Sequence, residues 1–379
     1  MGRNMEIKYP DYQNSIVNLV CSLLKYYNVK DIKHNSISQV DKILEERKPR
    51  NVVLMLFDAM GISILNRYKD QSPFIRSHII RTLSSTFPPT TVAATTSVLT
   101  GLTPLETGWL GWITYFKEVD QNVITFLNTI QNTKIPAAAH HLAHTTIPYH
   151  SILEQINAVH KDVICSTIAP YNVIENHPSF ISKAITHSCD TILNLCKKDQ
   201  KNFIYCYCDN PDDKMHEVGV DAKECIAPII TLIETNLKRL SESIGDDTVI
   251  FVIADHSQIN SKWFFISDYP DLQSLIVRNH SMEFRAATFW VKEGKNEEFV
   301  QTFKKHFKDH FILMTHKEFL ESGLLGSGVP HPRTDGFIGD FVAISTDEYC
   351  IDDVRKDKTL IGIHAGLTKE EMEVPLILL

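Results

Sequence analysis

Seven side chains of the 379-residue chain are of types that could together carry metal-assisted chemistry: Asp58, Thr91, Asp212, His216, Asp255, His256 and His364. Asp255-His256 closes the apolar run Val249–Ala254, and a buried strand that ends on two strong metal ligands suggests half of a metal site. Asp58 closes a second such run, Val52–Phe57. A third, Phe203–Cys208, leads into Asp212-x-x-x-His216, where one helical turn puts both side chains on one face, close enough to chelate a divalent ion. Asp213 is three residues from the same histidine and competes for that role. His364 lies in a turn of small residues, His364-Ala365-Gly366, that lets an imidazole approach an ion without crowding. Each feature alone has a plainer reading, as a strand-end turn, a helix cap or a histidine bonded to a carbonyl. Their combination points to metal.

A hydroxyl completes the set. Residues Ser84–Pro104 carry the punctuation of a short helix: Pro88-Pro89 before it, Thr90 or Thr91 as N-cap, Gly101 at the left-handed position past its end, and Pro104 preventing continuation. A hydroxyl at a helix N-terminus suits phosphoryl chemistry, because unpaired N–H groups and the positive dipole end attract the anion that it would attack.

The elements that must position these groups read as an open α/β fold. Continuous apolar runs rich in branched residues suit parallel strands buried on both faces, and ligands of such sheets gather outside the carboxyl ends of the strands. Asp58 and Asp255 would then share one edge. Residues 1–50 read as a helical N-terminal extension, with apolar residues at Ile16, Leu19, Val20, Leu23 and Leu24. Residues 257–340 read as an inserted cap containing a strand over Arg285–Val291 and a helix over Glu297–Phe307, which leaves 51–256 and 341–379 as the core. His140, His141 and His144 follow Pro136–Ala139, read as a strand leading into a loop, and are not assigned to metal.

In order and spacing the chain resembles the nucleotide pyrophosphatase/phosphodiesterase branch of the alkaline phosphatase superfamily, especially its bacterial type I phosphodiesterase-like members. The strand ending in Asp58, Phe87–Thr91 running to Thr100–Pro104, Pro211-Asp212-x-x-x-His216, Ala254-Asp255-His256 and His364–Thr368 carry the resemblance, which spans roughly Asn51 to Leu379. It implies a three-layer α/β sandwich with a mostly parallel central sheet and an inserted cap. It also implies two divalent ions, one held by Asp212, His216 and His364 and the other by Asp58, Asp255 and His256, with Thr91 between them. Zinc suits these mixed ligands, and manganese or iron accepts the hard oxygens. In that family the nucleophile stands about ten residues before the glycine of a Thr-Gly pair, and counting back from Gly101 selects Thr91; Thr86, before Phe87-Pro88, is the rival by local motif.

The implied activity is hydrolysis of a phosphodiester or nucleotide pyrophosphate bond through a phospho-threonine. The alternatives are a phosphomonoesterase, phosphonate hydrolase or sulfatase using the same site, and a non-catalytic metal-binding protein. One departure bears on substrate. Where nucleotide-cleaving members place a phosphoryl-binding Asn, this chain has Gly108-Trp109-Leu110-Gly111-Trp112, so that donor would be a backbone or indole N–H. Trp109 and Trp112 could line a pocket for an aromatic leaving group or simply pack a loop.

Length and composition agree with a single large α/β enzyme, and the resemblance implies a small phosphorus ester as its substrate. The net charge is −8 with no basic stripe, so neither nucleic acid nor a membrane surface is an evident partner. The first residues lack an apolar stretch of signal-peptide type, and eight scattered cysteines, with Cys206 and Cys208 in an apparent core strand, fit a reduced cytoplasmic protein.

Overall fold

The computed structural model describes residues 5–169 and 178–379, with side chains in the second stretch described from Ile185 onward; residues 1–4 of the N-terminal stretch lie outside it. The three apolar runs are adjacent strands of a six-stranded sheet, ordered Ile79–Ser84, Glu373–Leu378, Thr248–Ile253, Asn51–Phe57, Lys201–Cys208 and Val163–Ile168. Asn51–Phe57 is parallel to both its neighbours, and Glu373–Leu378 alone runs antiparallel. Every residue of Asn51–Phe57 and of Thr248–Ile253 is buried, as a strand covered on both faces requires. Helices Ile16–Tyr26, Thr91–Thr100 and Ile152–Val159 pack together, and Pro178–Cys196 packs with Lys223–Ser243. The sheet with its helix layers is the mostly parallel α/β sandwich that the resemblance implies.

The register sets the active edge. Leu56 lies level with both Tyr207 and Ile253, so the residues immediately beyond these three strands emerge side by side.

Helix Ile16–Tyr26 buries every residue from Ile16 to Leu24 among the helices Ser38–Arg47, Thr91–Thr100 and Ile152–Val159 that pack on it, and its apolar residues join the core of the central sheet. The smaller sheet is wider than residues 257–340. Its seven strands are ordered Phe311–Thr315, Phe341–Ser345, Ala286–Phe289, Ser281–Met282, Ile113–Phe116, Gln121–Ile124 and Thr129–Ile130. Met282 pairs with Ile113, so the chain just after the Thr91 helix joins the same sheet. Pro136–Ala139 is not a strand: a single bridge from Thr129 to Pro136 is all that forms, and Pro136 has no N–H to extend it.

A buried ion pair ties the smaller sheet to the turn that carries His364. Arg285 Nε and Nη2 donate to Glu371 Oε1 and Oε2 at 2.7 and 2.9 Å, and both side chains are fully buried. Glu371 also accepts from the Gly366 N–H and the Thr368 hydroxyl, while Arg285 donates to the carbonyls of Asp347 and Tyr349.

Candidate active site

Helix Thr91–Thr100 begins as its residues dictate, with Thr90 extended at the N-cap and Gly101 left-handed at φ 74°. Its first residue faces the strand ends: Thr91 Oγ1 lies 3.2 Å from His256 Nε2 and 3.4 Å from Asp58 Oδ2. Thr86, the rival hydroxyl, is buried without a hydrogen bond to either group.

The six carboxylates and imidazoles fall into two groups, Asp58 with Asp255 and His256, and Asp212 with His216 and His364. In the first, His256 Nε2 is 3.4 Å from Asp58 Oδ1 and 3.5 Å from Asp255 Oδ2. In the second, His216 Nε2 is 3.1 Å from Asp212 Oδ2 and His364 Nε2 is 4.0 Å from Asp212 Oδ1. The His256 and His364 rings stack at 3.9 Å, which joins the groups into one centre. Asp212 and His216 open a short helix, Asp212–Val218. His364 approaches it because Gly362 lies against Gln258 and the Met215 carbonyl, where any Cβ would collide. Ala365, next to His364, has φ +89°, a strain of about 1–3 kcal/mol for a residue other than glycine.

Three observations show that these groups fit cations. First, each imidazole turns Nδ1 to a backbone carbonyl: His216 to Gly362 at 2.7 Å, His256 to Ser257 at 3.2 Å and His364 to Pro89 at 3.2 Å. A carbonyl only accepts, so Nδ1 carries a proton and Nε2 is the nitrogen turned to the centre, the orientation a ligating histidine takes. Second, Asp58 Oδ1 and Asp255 Oδ2 are buried without any hydrogen-bond partner. Third, like charges crowd: burial, then Asp255 and Asp212, hold the Asp58 carboxyl well above its usual range, and burial raises that of Asp255. Buried carboxylates at such spacing are costly unless a cation offsets them. In the other group burial opposes ionisation of Asp212, yet His216, His364 and His256 outweigh it and hold its carboxyl low. His216 is raised to about 9 against its burial by Asp212, and burial with His256 pushes His364 well down.

The surrounding residues were less legible. Tyr207 donates its hydroxyl to Asp58, and Gln258 donates its amide to Asp212. Glu283, which sequence reasoning missed, is buried in the cleft and accepts from the Thr90 hydroxyl and the Trp112 N–H, both at 2.6 Å. Nothing in its local sequence distinguishes it from other acidic residues. Trp112 lines the cleft, but its backbone N–H is committed to Glu283 and so is not a free phosphoryl donor. Trp109 does not line it: the ring is fully buried and its indole N–H donates to Ile147 O at 2.8 Å, because an apolar ring packed on Phe126 and Tyr149 gains more than one facing water. The cleft over Thr91, His216, Glu283 and His364 is about 270 Å³, room for a small ester and not for a folded polymer. The His141 and His144 rings lie 4.3 Å apart, tilted at 48°, and belong to no metal group among the described residues.

Burial raises the Glu283 carboxyl to about 7. A folded value above the unfolded one means the folded protein binds the extra proton, so this stabilisation is whole below about pH 4.5 and is lost as pH rises toward 7. In metal-free protein, wild type is expected to lose on the order of 3 kcal/mol relative to Glu283→Gln across that window. Urea melts at several pH values measure it, and parallel curves would refute it.

Comparisons with known proteins give the family and the fold. Residues 52–370 match the model of the type I phosphodiesterase/nucleotide pyrophosphatase family. Among solved structures, murine ectonucleotide pyrophosphatase/phosphodiesterase 5 aligns with TM-score 0.61 and 16% identity over 86% of this chain and 87% of that one. Phosphonoacetate hydrolase from Sinorhizobium meliloti 1021, in complex with phosphonoformate, aligns with TM-score 0.62 and 14% identity over 87% of this chain and 90% of that one. A comparison with curated proteins gave no match. Among the described residues no helix is long and apolar enough to cross a membrane. With the family model matching most of its length, the chain belongs to the type I phosphodiesterase/nucleotide pyrophosphatase family, a family of phosphoric ester hydrolases.

Proposed function

We propose that the protein hydrolyses a small phosphodiester or nucleotide pyrophosphate through Thr91, using two divalent ions held by the two ligand groups. The observation that carries this reading is the placement of the Thr91 hydroxyl against one group, with every imidazole presenting Nε2 to a shared centre. Zinc is the first candidate for such mixed ligands, with manganese or iron next. Bound divalent ions would lower the pKa of the threonine hydroxyl and offset the charge of the phosphoryl oxygens. Thr91 Oγ1 forms a bond to phosphorus while the leaving oxygen departs with its electron pair; water then cleaves the phospho-threonine and restores the hydroxyl. The N–H groups in the first turn of Thr91–Thr100 face the anion. Glu283, by holding Thr90 and Trp112, positions the start of that helix against the cleft wall. The solved relatives lend support: an inactive variant of the murine protein, with threonine replaced by alanine, is described in complex with AMP.

Phosphonate hydrolysis at the same site is the second reading, favoured by the missing Asn and by the equal likeness to phosphonoacetate hydrolase. Chelator-stripped protein should be inactive and regain activity with zinc or manganese, turning over bis(nitrophenyl) phosphate faster than nitrophenyl phosphate. A monoester rate far above the diester rate would overturn the diester assignment. Purified protein with no metal and no hydrolysis of either compound would overturn the whole reading.

A further inference from the structure

Away from the catalytic cleft, a third convergence of ligand atoms lies between the smaller sheet and the two-stranded parallel sheet formed by Lys262–Phe265 and Tyr349–Asp352. His280 precedes the strand Ser281–Met282, and Asp352-Asp353 ends the strand Tyr349–Asp352; all three are buried, and one ligand atom from each lies within 4.8 Å of the others. The backbone fixes the loops that bring them together. The His280 N–H donates to Asp353 Oδ1 at 3.0 Å, the Asp353 N–H donates to Asp352 Oδ1 at 2.8 Å, and Asn122 donates to the His280 carbonyl at 2.9 Å.

The ring of His280 is the informative group. It is fully buried, yet neither of its nitrogens makes a hydrogen bond. Asp353 Oδ2 is only 3.1 Å from Nδ1, so the two atoms are close but not aligned as donor and acceptor. Asp58 Oδ1 and Asp255 Oδ2 stand toward His256 Nε2 in a similar way, close to it and without a hydrogen-bond partner. It is the arrangement of ligands spaced around a common cation, since a ligand's lone pair points at the ion and not at its neighbour.

We propose that His280, Asp352 and Asp353 form a third, structural divalent-cation site. One imidazole with two carboxylates suits zinc or manganese, and the burial of all three keeps a substrate away from the ion. The ion would tie the loop before Ser281–Met282 to the end of Tyr349–Asp352, and so brace the strand that leads directly to Glu283. Lys356 is its competitor: its ammonium lies 2.8 Å from Asp352 Oδ2, but the side chain is 41% exposed and free to swing into water. Gln131 Nε2, 3.4 Å from Asp353 Oδ2, remains as a neighbour.

The proposal is independent of the catalytic reading, and metal counting separates the two. Full-length protein is stripped with chelator, equilibrated with zinc or manganese alone, and assayed for bound metal per chain. His280→Ala and Asp352→Asn should each hold one ion fewer than wild type, whereas Asp255→Asn should keep that ion and lose catalytic metal. Lys356→Ala, an exposed change that spares the fold, should bind the same ion severalfold more tightly. If His280→Ala and Asp352→Asn hold as many ions as wild type with either metal, or Lys356→Ala leaves every affinity unchanged, the group is a metal-free network of His280–Asp353 and Lys356–Asp352 pairs. An ion lost in His280→Ala but untouched by Asp255→Asn, with none at the Thr91 centre, would uphold this site and refute the catalytic one.

Discussion

Thr91→Ala should lower the rate of ester hydrolysis on the order of 10⁴-fold while leaving fold and metal content intact. The hydroxyl is the one group in contact with both His256 and Asp58 that can form a covalent bond to phosphorus, and alanine keeps the helix, since Thr90 and not Thr91 is its N-cap. Thr91→Ser, which restores the oxygen on a less constrained side chain, should recover much of the loss. Thr90→Ala and Thr86→Ala are the controls: the first loses the hydrogen bond to Glu283, and the second removes a hydroxyl with no partner. Steady-state rates of the four variants decide the matter. A Thr91→Ala enzyme within tenfold of wild type, or a larger loss in Thr86→Ala, would move the nucleophile elsewhere.

The largest expected loss of stability lies at Arg285. Its guanidinium is wholly buried and engages Glu371 with two bonds, so Arg285→Ala leaves a carboxylate in the core whose only remaining donors are the Gly366 N–H and the Thr368 N–H and hydroxyl. Removing one partner of such a pair costs about 3–5 kcal/mol, far more than the net worth of the pair, because the survivor stays desolvated. The double variant Arg285→Met with Glu371→Leu should recover most of it, since apolar replacements of similar volume leave no charge behind. Chemical denaturation of both variants measures the difference. If the double variant is no more stable than Arg285→Ala, the cost comes from lost packing. The turn held by Glu371 also carries His364, so Arg285→Ala should weaken metal retention as well.

The strands of the central sheet, and the carboxylates and imidazoles gathered at their ends, were legible because their signals are local. A run such as Val52–Phe57 or Val249–Ala254 declares a strand buried on both faces, and parallel strands bring the residues at their carboxyl ends to one edge. Residues whose roles depend on distant partners were not. Glu283 gains its role from Thr90 and Trp112, far away in sequence, and His280 from Asp352 and Asp353. The strand Ile113–Phe116 reads like any short apolar segment, and only its pairing with Met282 assigns it to the smaller sheet. Trp109 and Trp112 show the same limit at close range: three residues apart, one enters the core and the other the cleft.

The strand Glu373–Leu378 sits inside the central sheet, between Ile79–Ser84 and Thr248–Ile253. The side chains gathered at the carboxyl ends of the parallel strands are therefore aligned by a sheet whose continuity depends on its one antiparallel member: Glu373–Leu378 pairs with Thr248–Ile253 on one side and Ile79–Ser84 on the other, so losing it would leave two open edges where there are now two ladders.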